Sequence, residues 1–198
     1  MIKLSKAGKM PCRSWSLQAL TTCPGSKDTN GELVDACKGC YATTGNYRFP
    51  NVKAPREHNQ EDWQRDSWVD DMVAELDNDR YFRWFDSGDM YHVKLAHKIL
   101  EVMQRTPWVK HWLPTREAGI LKEFKETGGC IPSNLVIRLS ATMVNGAPGK
   151  SHQHSSTVHT PGVAPIGEAC SASKQGGQCL DCRACWNPAI KNISYEKH

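Results

Sequence analysis

The clearest pattern of apolar and polar positions lies in the middle of the chain. Trp68, Val69, Met72, Val73 and Leu76 recur at helical spacing and predict one helix. Asp77, Asn78 and Asp79 break it. Residues 81–85, Tyr-Phe-Arg-Trp-Phe, are short, aromatic and strand-like, and they run into Asp86, Ser87, Gly88 and Asp89. Val93, Ala96, Ile99, Leu100 and Met103 share one face of a second helix, which Thr106 and Pro107 end. Residues 109–113 read as another strand, leading into Pro114, Thr115, Arg116 and Glu117. Ile120, Leu121 and Phe124 mark a third helix, closed by Gly128 and Gly129. A third strand over residues 135–139 leads into Ser140, Ala141 and Thr142.

Strand, helix, strand, helix, strand is the order of a parallel sheet with right-handed crossovers. In such sheets ligands sit at the carboxyl ends of the strands. Asp86, Ser87, Asp89, Thr115, Arg116, Glu117, Ser140 and Thr142 are therefore expected on one rim. Each is also a common helix cap or turn former. The rim as a whole, rather than any single residue, is the candidate site.

The pattern fades after Thr142. Residues 145–160 are rich in Gly, Ser and His, which predicts a long loop with His152, His154 and His159 in solvent. Residues 163–166 suggest one more short strand. From Cys170 onward there is little hydrophobic periodicity, so the tail is expected to be folded by metal rather than by a core. The predicted organisation is an α/β unit over residues 1–166 with a cysteine loop near its start. A Cys-rich tail over 167–198 packs on it.

Composition narrows the class. A chain of 198 residues with 39% hydrophobic residues suits one domain, or one with a small appendage. Net charge is +4, short of the basic clustering of a dedicated nucleic-acid binder. No segment approaches the roughly 20 apolar residues of a membrane span. The start, Met1-Ile2-Lys3-Leu4-Ser5-Lys6, is basic but no apolar run follows it, unlike a signal peptide. The expected compartment is the cytosol.

Nine cysteines change the picture most. Disulfides do not persist in a reducing cytosol, so the pattern points to metal or catalysis. Cys23, Cys37 and Cys40 form one group, and Cys170, Cys179, Cys182 and Cys185 another. In the first, a CxxC pair gains a third thiolate from across a loop. Three thiolates can hold a [4Fe–4S] cube and leave one iron open. The competing reading is a zinc loop completed by a distant Cys or His. In the second, CxxCxxC with Cys170 gives four ligands for a closed [4Fe–4S] cluster, and zinc again competes. Such a closed site would be structural or an electron relay. Cys12 and Cys130 stand alone and read as buried thiols, either able to complete a cluster.

Several of these stretches carry a resemblance. Cys23, then Cys37-Lys38-Gly39-Cys40-Tyr41-Ala42, then Phe82-Arg83-Trp84-Phe85-Asp86-Ser87-Gly88-Asp89-Met90, resemble the phage-encoded gene product 88 family. So do His111-Trp112-Leu113-Pro114-Thr115-Arg116-Glu117, Ile137-Arg138-Leu139-Ser140-Ala141-Thr142, and the tail with Cys182-Arg183-Ala184-Cys185-Trp186 and Asn192-Ile193-Ser194-Tyr195. The resemblance covers nearly the whole chain and implies a phage or prophage origin, hence the host cytoplasm.

More distantly, three cysteines ending in CxxC-Tyr ahead of βα units resemble radical S-adenosylmethionine (SAM) enzymes. That likeness implies a partial (βα) barrel with the cluster in the loop after the first strand, here residues 15–20. It places Ser87, Gly88 and Asp89 at the SAM amino group, Arg116 at its carboxylate, and Ser140 and Thr142 towards its ribose. Cys23 stands further from Cys37 than is usual there, and Gly39 replaces the usual aromatic residue.

Three functions follow as expectations. One is a radical-SAM-like enzyme, with Cys23, Cys37 and Cys40 holding an open-iron cluster supplied by an electron donor. Another is a non-catalytic iron–sulfur protein for redox or sensing. The third is a zinc-stabilised module binding nucleic acid or a host protein, supported by the basic run Lys3, Lys6, Lys9 and Arg13.

Overall fold

The computed structural model describes residues 1–6 and 8–197. Its frame is an open sheet of eight strands. They are β1 (Ser5–Lys6), β2 (Arg13–Trp15), β3 (Tyr81–Trp84), β4 (Lys110–Thr115), β5 (Leu135–Val144), β6 (Ser155–His159), β7 (Glu168–Ala169) and β8 (Asn192–Glu196). Among the described residues four α-helices accompany them: α1 (Pro50–Asp62), α2 (Trp68–Glu75), α3 (Val93–Arg105) and α4 (Ala118–Glu126). The spatial order is β1-β2-β3-β4-β5-β6-β8-β7. Only β1 and β2 run antiparallel; every other neighbouring pair is parallel. The first and last strands are not paired, so the sheet does not close.

Alternation along the strands sorts the two faces. Phe82 and Trp84 of β3, Leu113 of β4, and Leu135 and Ile137 of β5 share a core with Trp68, Met72 and Leu76, with the inward face of α3, and with Leu121 and Phe124. The predicted β3–α3–β4–α4–β5 run is thus present, with its helices over one face. The intervening residues point the other way. Tyr81 of β3 and Trp112 of β4 pack with Met10, Cys12 and Trp186, and Cys179, Cys185 and Tyr195 close around them. The C-terminal segment, not a helix, covers this second face.

His111 illustrates how the helical face handles a polar group. It is fully buried. Trp84 Nε1 donates to its Nδ1 at 3.2 Å, so Nδ1 is unprotonated. Nε2 then carries the proton and donates to Thr106 Oγ1 at 2.9 Å, while that hydroxyl donates to Val102 O. Burial holds the His111 pKa down to about 3.

Several expectations are corrected. The strand expected over residues 15–20 is β2, which instead stops at Trp15, because the chain turns over the β3 end, where Leu17 N donates to Ser87 O. Residues 145–160 contain β6, with its serines facing buried partners. His154 and His159 are buried rather than solvated, bonded to Pro188 O and Ser194 Oγ. Residues 163–166 form no strand; the short strand comes later, as β7. The tail is not irregular throughout: β8 lies between β6 and β7, so the sheet runs across the expected boundary at residue 166. Cys12 is buried as expected, whereas Cys130 is exposed. Helix α1 had no apolar period to announce it. Arg13, read as part of a solvated basic run, pairs with Asp79 and Glu75. No helix among the described residues is long and apolar enough to cross a membrane.

Candidate metal and cofactor site

The loop between β2 and α1 carries Cys23, Cys37 and Cys40, and it lies across the carboxyl ends of three strands. At β3, Tyr41 donates to Asp86 O at 2.6 Å, Tyr47 donates to Asp86 Oδ2 at 3.1 Å, and Asp89 N donates to Thr22 O. At β4, Gly25 N donates to Glu117 Oε1 at 2.7 Å. At β5, Val144 N donates to Asp35 Oδ2 at 3.0 Å. Asp35, Tyr41 and Tyr47 therefore fix the cysteine loop to the rim. Of these, only Tyr41 stood inside a motif visible in the sequence.

The three thiols lie within electrostatic reach of one another. Burial pushes Cys23 up to about 12, with Asp89 and then Cys40 and Cys37 adding to the effect. Cys37 is raised by burial, against the opposing pull of Arg116. Such thiols stay neutral at neutral pH unless a metal takes the proton's place.

Beneath them, the rim carboxylates are largely committed. Asp89 is buried and accepts from Thr115 Oγ1 at 2.6 Å, Met90 N at 2.7 Å and Arg116 N at 2.8 Å. Burial still raises its pKa against those bonds. Glu117 is raised to about 7 by burial, reinforced by Asp89. Asp86 takes both oxygens' worth of contact from Arg56 Nη2, at 3.0 and 3.2 Å, and also binds Ser16. Ser87 accepts from Arg56 Nε and donates to Leu17 O. Arg56 is missed by sequence reading: it sits on α1, a helix with no apolar period, and its partners stand about thirty residues away.

Ser140 and Thr142 diverge. Ser140 accepts weakly from Ser156 Oγ at 3.3 Å, while Thr142 is exposed where the β5–β6 register shifts. Arg116 remains the least committed group. Its Nε is buried with no acceptor among the described residues, and it lies close enough to Cys37, Asp89 and Glu117 to influence all three.

Gly88 has a steric reason. Its φ is +72°, and a Cβ there would stand 2.6 Å from Leu17 Cβ and Thr22 Oγ1. Gly88→Ala is expected to cost about 2 kcal/mol or more, from left-handed strain and overpacking. Urea unfolding checks this. A loss below about 0.5 kcal/mol would show that the turn yields freely.

The second cysteine group lies on the face opposite the helices. Burial raises Cys179, and Cys170 and Cys182 raise it further. Cys185 is pushed up to about 11, chiefly by burial, with Cys170 again a neighbour. Arg138 anchors this segment. It is fully buried and donates to four main-chain oxygens, of Cys185, Ile190, Ala184 and Asn187.

Among the described residues, no group of three or more His, Cys, Asp or Glu side chains is arranged to hold a single ion. A tetrahedral zinc with Zn–S near 2.3 Å needs sulfurs about 3.8 Å apart. A cube sets its thiolates wider, because each binds a different iron. A surface hollow of about 870 Å³ lies elsewhere, lined by Ile2, Arg13, Glu75 and Asp79, whose charges pair with one another.

No curated protein and no solved structure gives a significant match to the chain. A family model does, the one described as Gene product 88, over residues 2–188. That span takes in both cysteine groups and every strand from β1 to β7, and the chain belongs to the gene product 88 family.

Proposed function

We propose that this is an iron–sulfur protein of phage origin, working in the host cytoplasm, with an open-iron [4Fe–4S] cluster on Cys23, Cys37 and Cys40. The observation that carries the reading is the placement of the three-cysteine loop across the carboxyl ends of β3, β4 and β5. We read the open sheet as a partial (βα) barrel of radical-SAM type, and the activity as a radical-SAM-like reaction. The fit is partial. Arg116, with its buried unpartnered Nε, suits the SAM carboxylate. Gly88 and Asp89 form a tight turn beside Thr22 and would present Asp89's one remaining lone pair to an amino group. Ser140 lies within the rim and would be the nearer of the two hydroxyls to a ribose. When bound, the cluster and SAM would supply one-electron chemistry, with the electron coming from an external donor. The chain's own part is to orient the cofactor and keep the thiols out of water. The C-terminal cysteine group would hold a second centre, iron–sulfur or zinc.

A second reading has its own support. Asp86, Ser87 and Asp89 each make several internal bonds, which suits a scaffold better than a substrate pocket. Under it the protein is a non-catalytic redox or sensing protein.

Metal analysis with ultraviolet–visible and EPR spectra on anaerobically purified protein, with and without SAM, tests both. About eight irons per chain, or about four with zinc, together with an EPR change on adding SAM, is the expected result. Iron with no response to SAM would favour the redox role. Zinc alone, from iron-replete anaerobic cells, would overturn the cluster and leave a zinc-stabilised binding module for nucleic acid or a host protein. Arg116→Ala is expected to weaken SAM binding while leaving iron content unchanged; unaltered affinity would remove that role.

A further inference from the structure

The second cysteine group has a neighbour from the other end of the chain. Cys12 stands one residue before β2, buried in a compact cluster with Met10, Trp112 and Trp186. Cys179 and Cys185 pack against that cluster. The main chain ties them in, since Cys179 N donates to Lys9 O at 2.8 Å. Cys182, by contrast, is exposed.

Two buried donors in the same place lack acceptors among the described residues. One is Nε1 of Trp112, a residue only 4% exposed, and the other is Arg83 Nε. The Arg83 guanidinium lies over the Trp112 ring at 4.9 Å and reaches Met10 Sδ at 3.4 Å. Buried N–H groups without acceptors are rare and ask for an explanation. Thiolates and bridging sulfides accept such bonds, and a neighbouring guanidinium offsets their negative charge.

We propose that Cys12 is a ligand of the C-terminal metal centre, completing a set with Cys170, Cys179 and Cys185 while Cys182 remains outside it. The inference rests on the reading that the C-terminal cysteines bind metal, and it refines which thiols do so. Cys170 is a neighbour of both Cys179 and Cys185, and Cys179 is a neighbour of Cys12. Cys182 also neighbours Cys179, and its exposure is what sets it apart from the others. Four soft thiolates suit iron in a cluster, or zinc. The centre would then staple the start of β2 to the tail, on the face that no helix covers.

The test uses the full chain, purified anaerobically from iron-replete cells, and reads metal and sulfide per chain with EPR and circular dichroism. Cys12→Val keeps an apolar side chain of similar size, so a packing role alone would leave metal bound. The expected result is loss of one centre's content, about four irons for a cube or a single zinc. Cys182→Ala and Cys130→Ala are expected to match wild type. Full metal content in Cys12→Val, or loss of the centre in Cys182→Ala, overturns the inference while the C-terminal centre itself stands. Should Cys12→Val fail to fold, Cys182→Ala decides at an exposed position, and Cys12→Ser supports a ligand role if it alters the EPR signal. Wild-type protein with no metal in the C-terminal group overturns the underlying reading, and the inference with it.

Discussion

Replacing Arg138 with methionine is expected to cost about 3 kcal/mol or more and to set the C-terminal cysteine segment loose. The reason is the identity of its partners. Every bond from this buried guanidinium goes to a main-chain carbonyl within residues 184–190, and none goes to a carboxylate. Methionine preserves much of the volume but leaves four oxygens without a donor. Each unsatisfied buried carbonyl costs roughly 1–3 kcal/mol, and partial rearrangement brings the sum below simple addition. For a chain of this size, about 3 kcal/mol lowers the midpoint by roughly 6–12 °C. The same change is expected to speed proteolysis between Cys170 and Cys185 and, under the proposed function, to lower the metal content. Thermal unfolding with limited proteolysis checks it. A shift under about 1 kcal/mol with unchanged cleavage would mean that Trp186 and β8 hold the segment by themselves.

A second large effect concerns acid. His111 has its pKa lowered from 6.5 to about 3. Between those values the unfolded chain binds a proton that the folded protein does not, so stability falls as pH drops from 6.5 towards 3. One proton gives a slope of about 1.4 kcal/mol per pH unit, several kcal/mol over the whole window. Protonation would place a hydrogen on Nδ1, against the Trp84 N–H that now points at it. Glu117 acts in the opposite sense. Its pKa is raised from 4.5 to about 7, so its share of stability is present below 4.5 and is lost as pH rises towards 7. Asp89, raised by burial, adds to that sense. In the metal-free protein the His111 and Glu117 slopes therefore oppose each other between 4.5 and 6.5. Glu117→Gln should uncover the His111 slope in that window, and His111→Phe should remove the acid loss while lowering stability overall. Urea midpoints at half-unit pH steps measure this. Parallel curves for wild type and His111→Phe below pH 6.5 would rule out the role given to His111.

What the sequence disclosed follows from where its information is local. The β3–α3–β4–α4–β5 run was readable because Phe82, Trp84, Leu113 and Ile137 alternate, and the α3 face repeats at helical spacing. Helix α1 was not, because its buried face is Arg56 and Asn59, polar residues whose donors reach Asp86, Ser87 and distant main-chain oxygens. Strand β6 reads as a loop for the same reason: Ser155 and Ser156 turn towards Asn192 and Ser140 rather than towards an oily core. The cysteines announced themselves by spacing alone. Their supports, Asp35, Tyr47, Arg83 and Arg138, act across long stretches of chain, and no local pattern marks such residues.

The two ends of the sheet carry one more consequence. An open sheet offers unpaired main-chain groups to any passing strand, its own copies included. Here each border is a strand of two residues, Ser5–Lys6 on one side and Glu168–Ala169 on the other. Neither is long enough to template a stable ladder, and each presents a charge to an approaching chain. They cover Arg13 and Ser14 of β2 on one side and Ile193 and Ser194 of β8 on the other. These short borders guard against aggregation, so the sheet can stay open without becoming sticky.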